Sequence, residues 1–240
     1  MITWTSAFAT DVGNKRKINE DALLNRPEVG LWVVADGMGG HAAGDVASNA
    51  VVHPLSVMER PEALADFVEA VETALMSVNQ QLRSYAIDQL EGRTVGSTVV
   101  SMVLSPQTGV CLWAGDSRLY RLRNGQLSRL SRDHSAVQEM VEAGAITQDE
   151  ADHHPKSNVI TRAVGAGEFL FIDSAVFAPM PGDTYLLCSD GLYNEVAEDS
   201  IRRKLGLAAE EAVSRLIDEA LCNGGRDNVS VIVVKVQGAA

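Results

Sequence analysis

The run Leu31-Trp32-Val33-Val34-Ala35 has no polar alternation and ends on Asp36-Gly37. A strand that is apolar on both faces needs protein on each side, so the chain is constrained to a stack of layers with this strand inside. The same strand delivers a carboxylate, Asp36, out of the interior, where it must be solvated, hydrogen-bonded or bound to a cation. Asp-Gly taken alone is also a common hairpin turn.

The rest of the chain supplies the layers. Strands are expected at about 3–10, 21–25 and 31–36. A helix over 41–58 follows, then a second that opens at Pro61 and repeats Leu64, Val68, Val71, Leu75, Val78 and Leu82 on one face. The period then shortens to strands at 97–104, 109–115, 118–123 and 126–130, the last two joined by the hairpin pair Asn124-Gly125. A helix over 134–143 leads into a polar segment, 144–165, read as a surface excursion or flap. Strands at 171–178, 184–190 and 228–236 and a helix over 208–224 complete the chain. Meanders and hairpins with helices bunched between them favour antiparallel sheets covered by helices over a doubly wound parallel sheet. The expectation is an α+β fold, an α-β-β-α sandwich of two stacked, mainly antiparallel sheets of about nine or ten strands, in a single domain over 1–240. No linker or repeat divides it.

Asp36 is one of four aspartates in similar positions: Asp116, Asp190 and Asp227 each stand at the end of an apolar run or just ahead of one. One such residue is a turn, but four imply convergence on a shared point. Like charges brought together destabilise a fold unless cations neutralise them. Oxygen donors without cysteine or paired histidine at ligand spacing favour Mg²⁺ or Mn²⁺ over Zn²⁺. A glycine after the aspartate lets its own carbonyl approach a metal, and a water between two metals is a nucleophile for in-line attack on phosphorus.

Composition narrows the partners. A net charge of −12 argues against a nucleic-acid surface. No apolar stretch reaches the length of a membrane span, and the basic residues near the N-terminus follow the apolar ones, opposite to a signal peptide. A cytoplasmic monomer is expected. Cys111, Cys188 and Cys222 are widely spaced and odd in number, so neither a disulfide framework nor a zinc site is indicated; Cys111 and Cys188 read as buried thiols.

The segments DVGNKRKINED (11–21), VVADGMGGH (33–41), TVGSTVV (94–100), AGDSRLY (114–120), LSRDHS (130–135), LLCSDGLYNEV (186–196) and GGRDNVSVIVV (224–234), in this order, resemble the motifs of the metal-dependent protein phosphatases, the PPM family, in its bacterial serine/threonine branch. The resemblance spans nearly the whole chain and implies the same sandwich. It implies that Asp36, Asp190 and Asp227 hold two core ions with the carbonyl of Gly37, that Asp21 contacts metal, that Glu20 acts through metal-bound water, and that Asp116 serves a weaker third ion. Arg16 matches the arginine that grips substrate phosphate, where a guanidinium fork suits two oxygens. Animal relatives carry a histidine directly after Asp-Gly, where this chain has Met38. The proton donor to the leaving group is therefore open between His41, His134 and a metal-bound water. His153 and His154 read as solvated.

The implied activity is hydrolysis of phosphoserine and phosphothreonine proteins by a metal-bridging hydroxide, opposing a bacterial Ser/Thr kinase. A phosphatase of sigma-factor regulators and a phosphoprotein-binding pseudophosphatase are the alternatives. The second would be signalled by a lost aspartate, and none is lost.

Overall fold

A computed structural model describes residues 2–39, 43–152 and 154–238. One sheet runs in the order β1 (Ile2–Asp11), β11 (Val229–Gly238), β10 (Thr184–Cys188), β7 (Arg118–Arg123) and β8 (Gln126–Arg129). The other runs β2 (Asp21–Arg26), β3 (Leu31–Met38), β5 (Val99–Leu104), β6 (Gly109–Ala114) and β9 (Asp173–Phe177), with the two-residue β4 (Gly96–Ser97) added to β3. Every pairing among these strands is antiparallel.

The apolar run of β3 explains the stacking. Leu31, Val33 and Ala35 join Val51, Leu55, Phe67, Val71 and Leu75 of α1 (Gly44–Ser56) and α2 (Leu64–Gln89), while Trp32 and Val34 face Leu187, Ile232 and Val234 of the other sheet. Successive side chains of a strand point to opposite faces, so a strand apolar at every position belongs between two apolar layers. The outer face of the second sheet is covered in the same way. There Leu186, Cys188, Val231 and Val233 pack against α5 (Asp190–Tyr193), α6 (Glu198–Lys204) and α7 (Ala209–Cys222). The result is the expected α-β-β-α sandwich.

Several local expectations shift. Helix α2 begins at Leu64, so Pro61 stands outside it, and Pro54 lies inside α1. Strand β10 stops at Cys188, and Asp190 opens α5 instead of ending the strand; α5 and α6 carry too few residues to show periodicity. The helix after His134 is α3 (Ala136–Glu142), and the polar segment holds the short α4 (Gln148–Asp152). The segment returns to the core before 165: Ala163 and Val164 are buried, and Val164 and Ser97 exchange two backbone hydrogen bonds of 2.9 Å. Cys111 and Cys188 are buried as expected, and Cys222 is exposed. Among the described residues no helix is long and apolar enough to cross a membrane.

Candidate active site

The site lies at one end of the sandwich, where the ends of β2 and β3 meet the loops before β11 and after β10. Asp21 and Asp36 are direct partners across the β2–β3 ladder. The backbone of Asp36 is fully engaged: its N–H donates to Thr98 Oγ1 at 3.0 Å, and its carbonyl accepts from Thr98 N at 2.8 Å and Ser97 Oγ at 3.0 Å. Thr98 Oγ1 also bonds Ser117 Oγ at 2.7 Å. The buried strand thus fixes Asp36 through its main chain and leaves the carboxylate for other work.

Gly37 has no room for a side chain. A Cβ there would lie 1.9 Å from the carbonyl oxygen of Gly44 and 2.6 Å from that of Glu20, whose carbonyl accepts the Gly37 N–H at 3.0 Å. The glycine predicted from the Asp-Gly pair is required by this close approach of β3, α1 and the Glu20 backbone. Glu20 itself is half-buried, with its backbone N–H donating to Asn228 Oδ1 at 2.8 Å.

Asn228 joins the two loops that flank the site. Its Nδ2 donates to the carbonyls of Val12 and Ile18 at 2.9 and 3.0 Å, which docks the 12–18 loop against the 224–228 loop. On the latter, Asp227 accepts Arg16 Nη2 at 2.6 Å through Oδ2 and the Asn228 N–H at 2.9 Å through Oδ1. Arg16 is half-exposed and its charge is already answered by Asp227. Asp190 accepts from Asn194 Nδ2 at 3.1 Å, and Ser189 Oγ donates to Asp21 Oδ2 at 2.8 Å.

Asp116 sits in the turn between β6 and β7, buried, with its backbone carbonyl accepting the Tyr193 hydroxyl at 3.1 Å. The Arg118 guanidinium lies 3.5 Å from the Tyr193 ring centre and forks onto Asp133. His134 holds the same turn: its Nδ1 accepts the Gly115 N–H at 3.1 Å, so its proton is on Nε2 and donates to Asp173 Oδ2 at 3.1 Å. Burial, opposed by the Asp173 bond, keeps the His134 pKa low. With both ring nitrogens committed, His134 is a holder of the turn and no longer a candidate proton donor. His41 and His153 lie outside the described residues, and His154 is half-buried.

The electrostatics are those of crowded carboxylates. Burial, with the charges of Asp190 and Asp227 adding to it, pushes Asp21 up to about 7, against the hydrogen bonds of Ser230 and Ser189. Asp116 is pushed up to about 8 by burial and then Asp190, and Asp190 to about 6 by burial and then Asp227. Asp36 rises well above the carboxylate range, from burial and then Asp21, Asp190 and Asp116. Oδ1 of Asp21 and Oδ1 of Asp116 are buried without a hydrogen-bond partner, an arrangement that costs free energy unless something else satisfies them. Among the described residues no three acidic, histidine or cysteine groups close into a ready cage. Hard divalent ions that retain several waters need only one or two carboxylates each. An all-oxygen donor set, orphaned carboxylate oxygens and repulsion that a cation relieves fit Mn²⁺ or Mg²⁺.

Asp21, Asp36, Asp190 and Asp227, expected from the sequence to act together, lie close enough to perturb one another's titration, and Asp116 lies beside Asp190 and Asp36. Thr98, Ser117, Ser189, Asn194, Asn228 and Tyr193 lie inside the motif segments but the sequence assigns them no role, because most of their partners are distant in sequence.

An acidic oxygen site with an arginine at its rim, at the end of a helix-covered double sheet, defines a metal-assisted phosphate-ester hydrolase. Residues 14–222 match the model of the family described as Protein phosphatase 2C, and the chain belongs to that family. It is a protein-serine/threonine phosphatase. It is 37% identical to the serine/threonine phosphatase stp of Listeria welshimeri over 95% of this chain and 94% of that one. The structure of PppA, described as a key regulatory component of T6SS in Pseudomonas aeruginosa, superposes with a TM-score of 0.90 at 44% identity over 98% of both chains. The catalytic domain of PstP in complex with 2 manganese ions superposes at 0.89 with 32% identity, covering 99% of this chain and all of that one.

Proposed function

We propose that the chain hydrolyses phosphoserine and phosphothreonine in proteins, opposite a Ser/Thr kinase in the cytoplasm, with Mn²⁺ or Mg²⁺ held by Asp21, Asp36, Asp116, Asp190, Asp227 and the carbonyl of Gly37. The observation that carries the reading is the pair of buried, unpartnered oxygens on Asp21 and Asp116 within a cluster of mutually repelling aspartates. When bound, the ions supply charge to neutralise the phosphate and to acidify water at neutral pH. The chain does the remainder. The Thr98 bonds fix Asp36 along the strand, and Ser189 orients Asp21. Glu20 backs Gly37 through its carbonyl.

Arg16 exchanges Asp227 for the substrate phosphate, whose two oxygens match its fork. That exchange frees Asp227 Oδ2, which would then be available to help hold an ion. The 144–165 segment, tied down at Val159 by the bond from the Ala136 N–H and at Val164 by Ser97, projects as a flap that contacts the phosphoprotein. The protein acts as a monomer and a single domain.

The test is release of inorganic phosphate from a phosphothreonine peptide by chelated protein, before and after Mn²⁺ is restored. Metal-dependent, chelator-reversible release is expected. Phosphopeptide binding without release would make the chain a pseudophosphatase.

A further inference from the structure

We propose that Lys15, Lys17 and Arg226 form a basic rim that selects phosphoproteins with acidic residues flanking the phosphorylated position, a proposal that rests on the phosphatase reading above. The chain has 32 acidic and 20 basic residues. Against that background, two loops bordering Asp227 expose cations at 15, 16, 17 and 226. Arg16 is spoken for by Asp227. Among the described residues neither Lys15 nor Lys17 makes an ion pair, so their charge faces solvent.

The two loops are held together. Asn14 N–H donates to the Gly225 carbonyl at 2.7 Å, and Asn14 Nδ2 donates to Leu221 and Gly224 carbonyls at 2.8 and 3.1 Å. Arg226 is fixed more firmly than an ordinary surface arginine. Its backbone N–H and Nε both donate to Glu195 Oε1, at 3.2 and 2.7 Å, and its Nη2 donates to the Asn194 carbonyl at 3.3 Å. The Glu195 side chain is only 3% exposed, whereas that of Arg226 is 69% exposed. A buried carboxylate thus anchors a guanidinium whose remaining edge is open. Glu195 answers its charge as Asp227 answers that of Arg16, so the net positive charge of the rim comes from Lys15 and Lys17, with the open edge of Arg226 as a fixed donor beside them.

Asn194 ties this anchor to the site, because the same residue that accepts from Arg226 donates to Asp190. Arg226 therefore has a fixed position relative to Asp190. An arginine already ordered loses little side-chain freedom on binding, and an extended peptide advances about 3.3 Å per residue, so side chains one to three positions from the phosphoresidue reach such a rim. Carboxylates are the side chains it attracts.

The experiment compares kcat/KM for phosphothreonine peptides with acidic, neutral and basic flanks, and for p-nitrophenyl phosphate, using the Mn²⁺-loaded protein and the variant K15E/K17E/R226E, with R226Q as a milder second variant. The parent is expected to favour acidic over basic flanks by about ten-fold, from exposed pairs individually worth a few-fold, and to lose that preference at high salt. The triple variant should reverse the order and R226Q reduce it, read as the ratio of acidic-flank to basic-flank kcat/KM, which a loss common to all substrates from leaving Glu195 unpaired does not move. Equal turnover of all three peptides by the parent, or a preference that survives the triple variant, overturns the proposal. No turnover of any substrate by the parent would refute the phosphatase reading itself, and this one with it.

Discussion

Metal-free protein should lose stability as pH rises, the opposite of what a domain rich in salt-bridged aspartates does. Asp190 is raised from the ordinary 3.8 to about 6, with Asp21 at about 7 and Asp116 at about 8. A carboxyl whose folded pKa is raised keeps its proton in the native state while the unfolded chain has already lost it. Its contribution is complete below the unfolded value near 4, declines above it, and is gone once pH passes the folded value. For Asp190 the window is about pH 4 to 6; for Asp21 and Asp116 it extends to about 7 and 8. Each pKa unit corresponds to about 1.4 kcal/mol, so a rise of this size, shared among the coupled aspartates, corresponds to roughly 3 kcal/mol across the window. In a chain of this size that is a fall of roughly 6 to 12 °C in Tm. The assay is thermal unfolding of chelated, dialysed protein from pH 5 to 8.5, with D190N as the control. The Tm should fall steadily with pH, fall less in D190N, and be lifted most by saturating Mn²⁺ at the alkaline end, where charged carboxylates bind it best. A flat or rising Tm in the metal-free protein, or an identical slope in D190N, would refute the reasoning.

Three further outcomes follow from the same geometry. Gly37→Ala should unfold or misplace the end of β3, costing more than about 3 kcal/mol because the Cβ would meet backbone and not a movable side chain; a Tm within a degree or two of the parent contradicts the packing described. Arg16→Ala should raise KM for phosphopeptides by about ten-fold or more, as expected for losing a charge-assisted pair, and leave Mn²⁺ affinity near normal or tighter once Asp227 is released; weakened metal binding with unchanged KM would place Arg16 in a structural role. Asp116→Ala should retain two ions in calorimetric titration and lose a weaker third together with most turnover, whereas unchanged stoichiometry and rate would leave Asp116 as a turn residue.

The sandwich could be read from β3, β5, β6, β10 and β11 because strands with apolar side chains on both faces have only one kind of home. The aspartates could be read because charge at the edge of such strands has to be answered. Asp190 shows where the reading blurs: Ser-Asp-Gly after an apolar run serves equally as a strand end or as the start of a helix, and the tertiary position of the four-residue α5 decides it. The holders of the site were not legible for a different reason. Thr98 reaches Asp36 across 62 positions, Ser189 reaches Asp21 across 168, and Asn228 reaches Val12 across 216. Such contacts exist only once the sheets are stacked. His134 was legible as a residue of interest but not in its role, which depends on the Gly115 N–H and on Asp173 meeting its two nitrogens.

The central claim is that Asp36, Asp190 and Asp227 share the ions that make the site reactive. Anomalous diffraction at the manganese edge, from crystals of the protein equilibrated with Mn²⁺, tests it without relying on activity. The account predicts two strong peaks among Asp36, Asp190, Asp227 and the Gly37 carbonyl, and a weaker peak nearer Asp116. Strong peaks elsewhere on the acidic surface, with none among these aspartates, would contradict it.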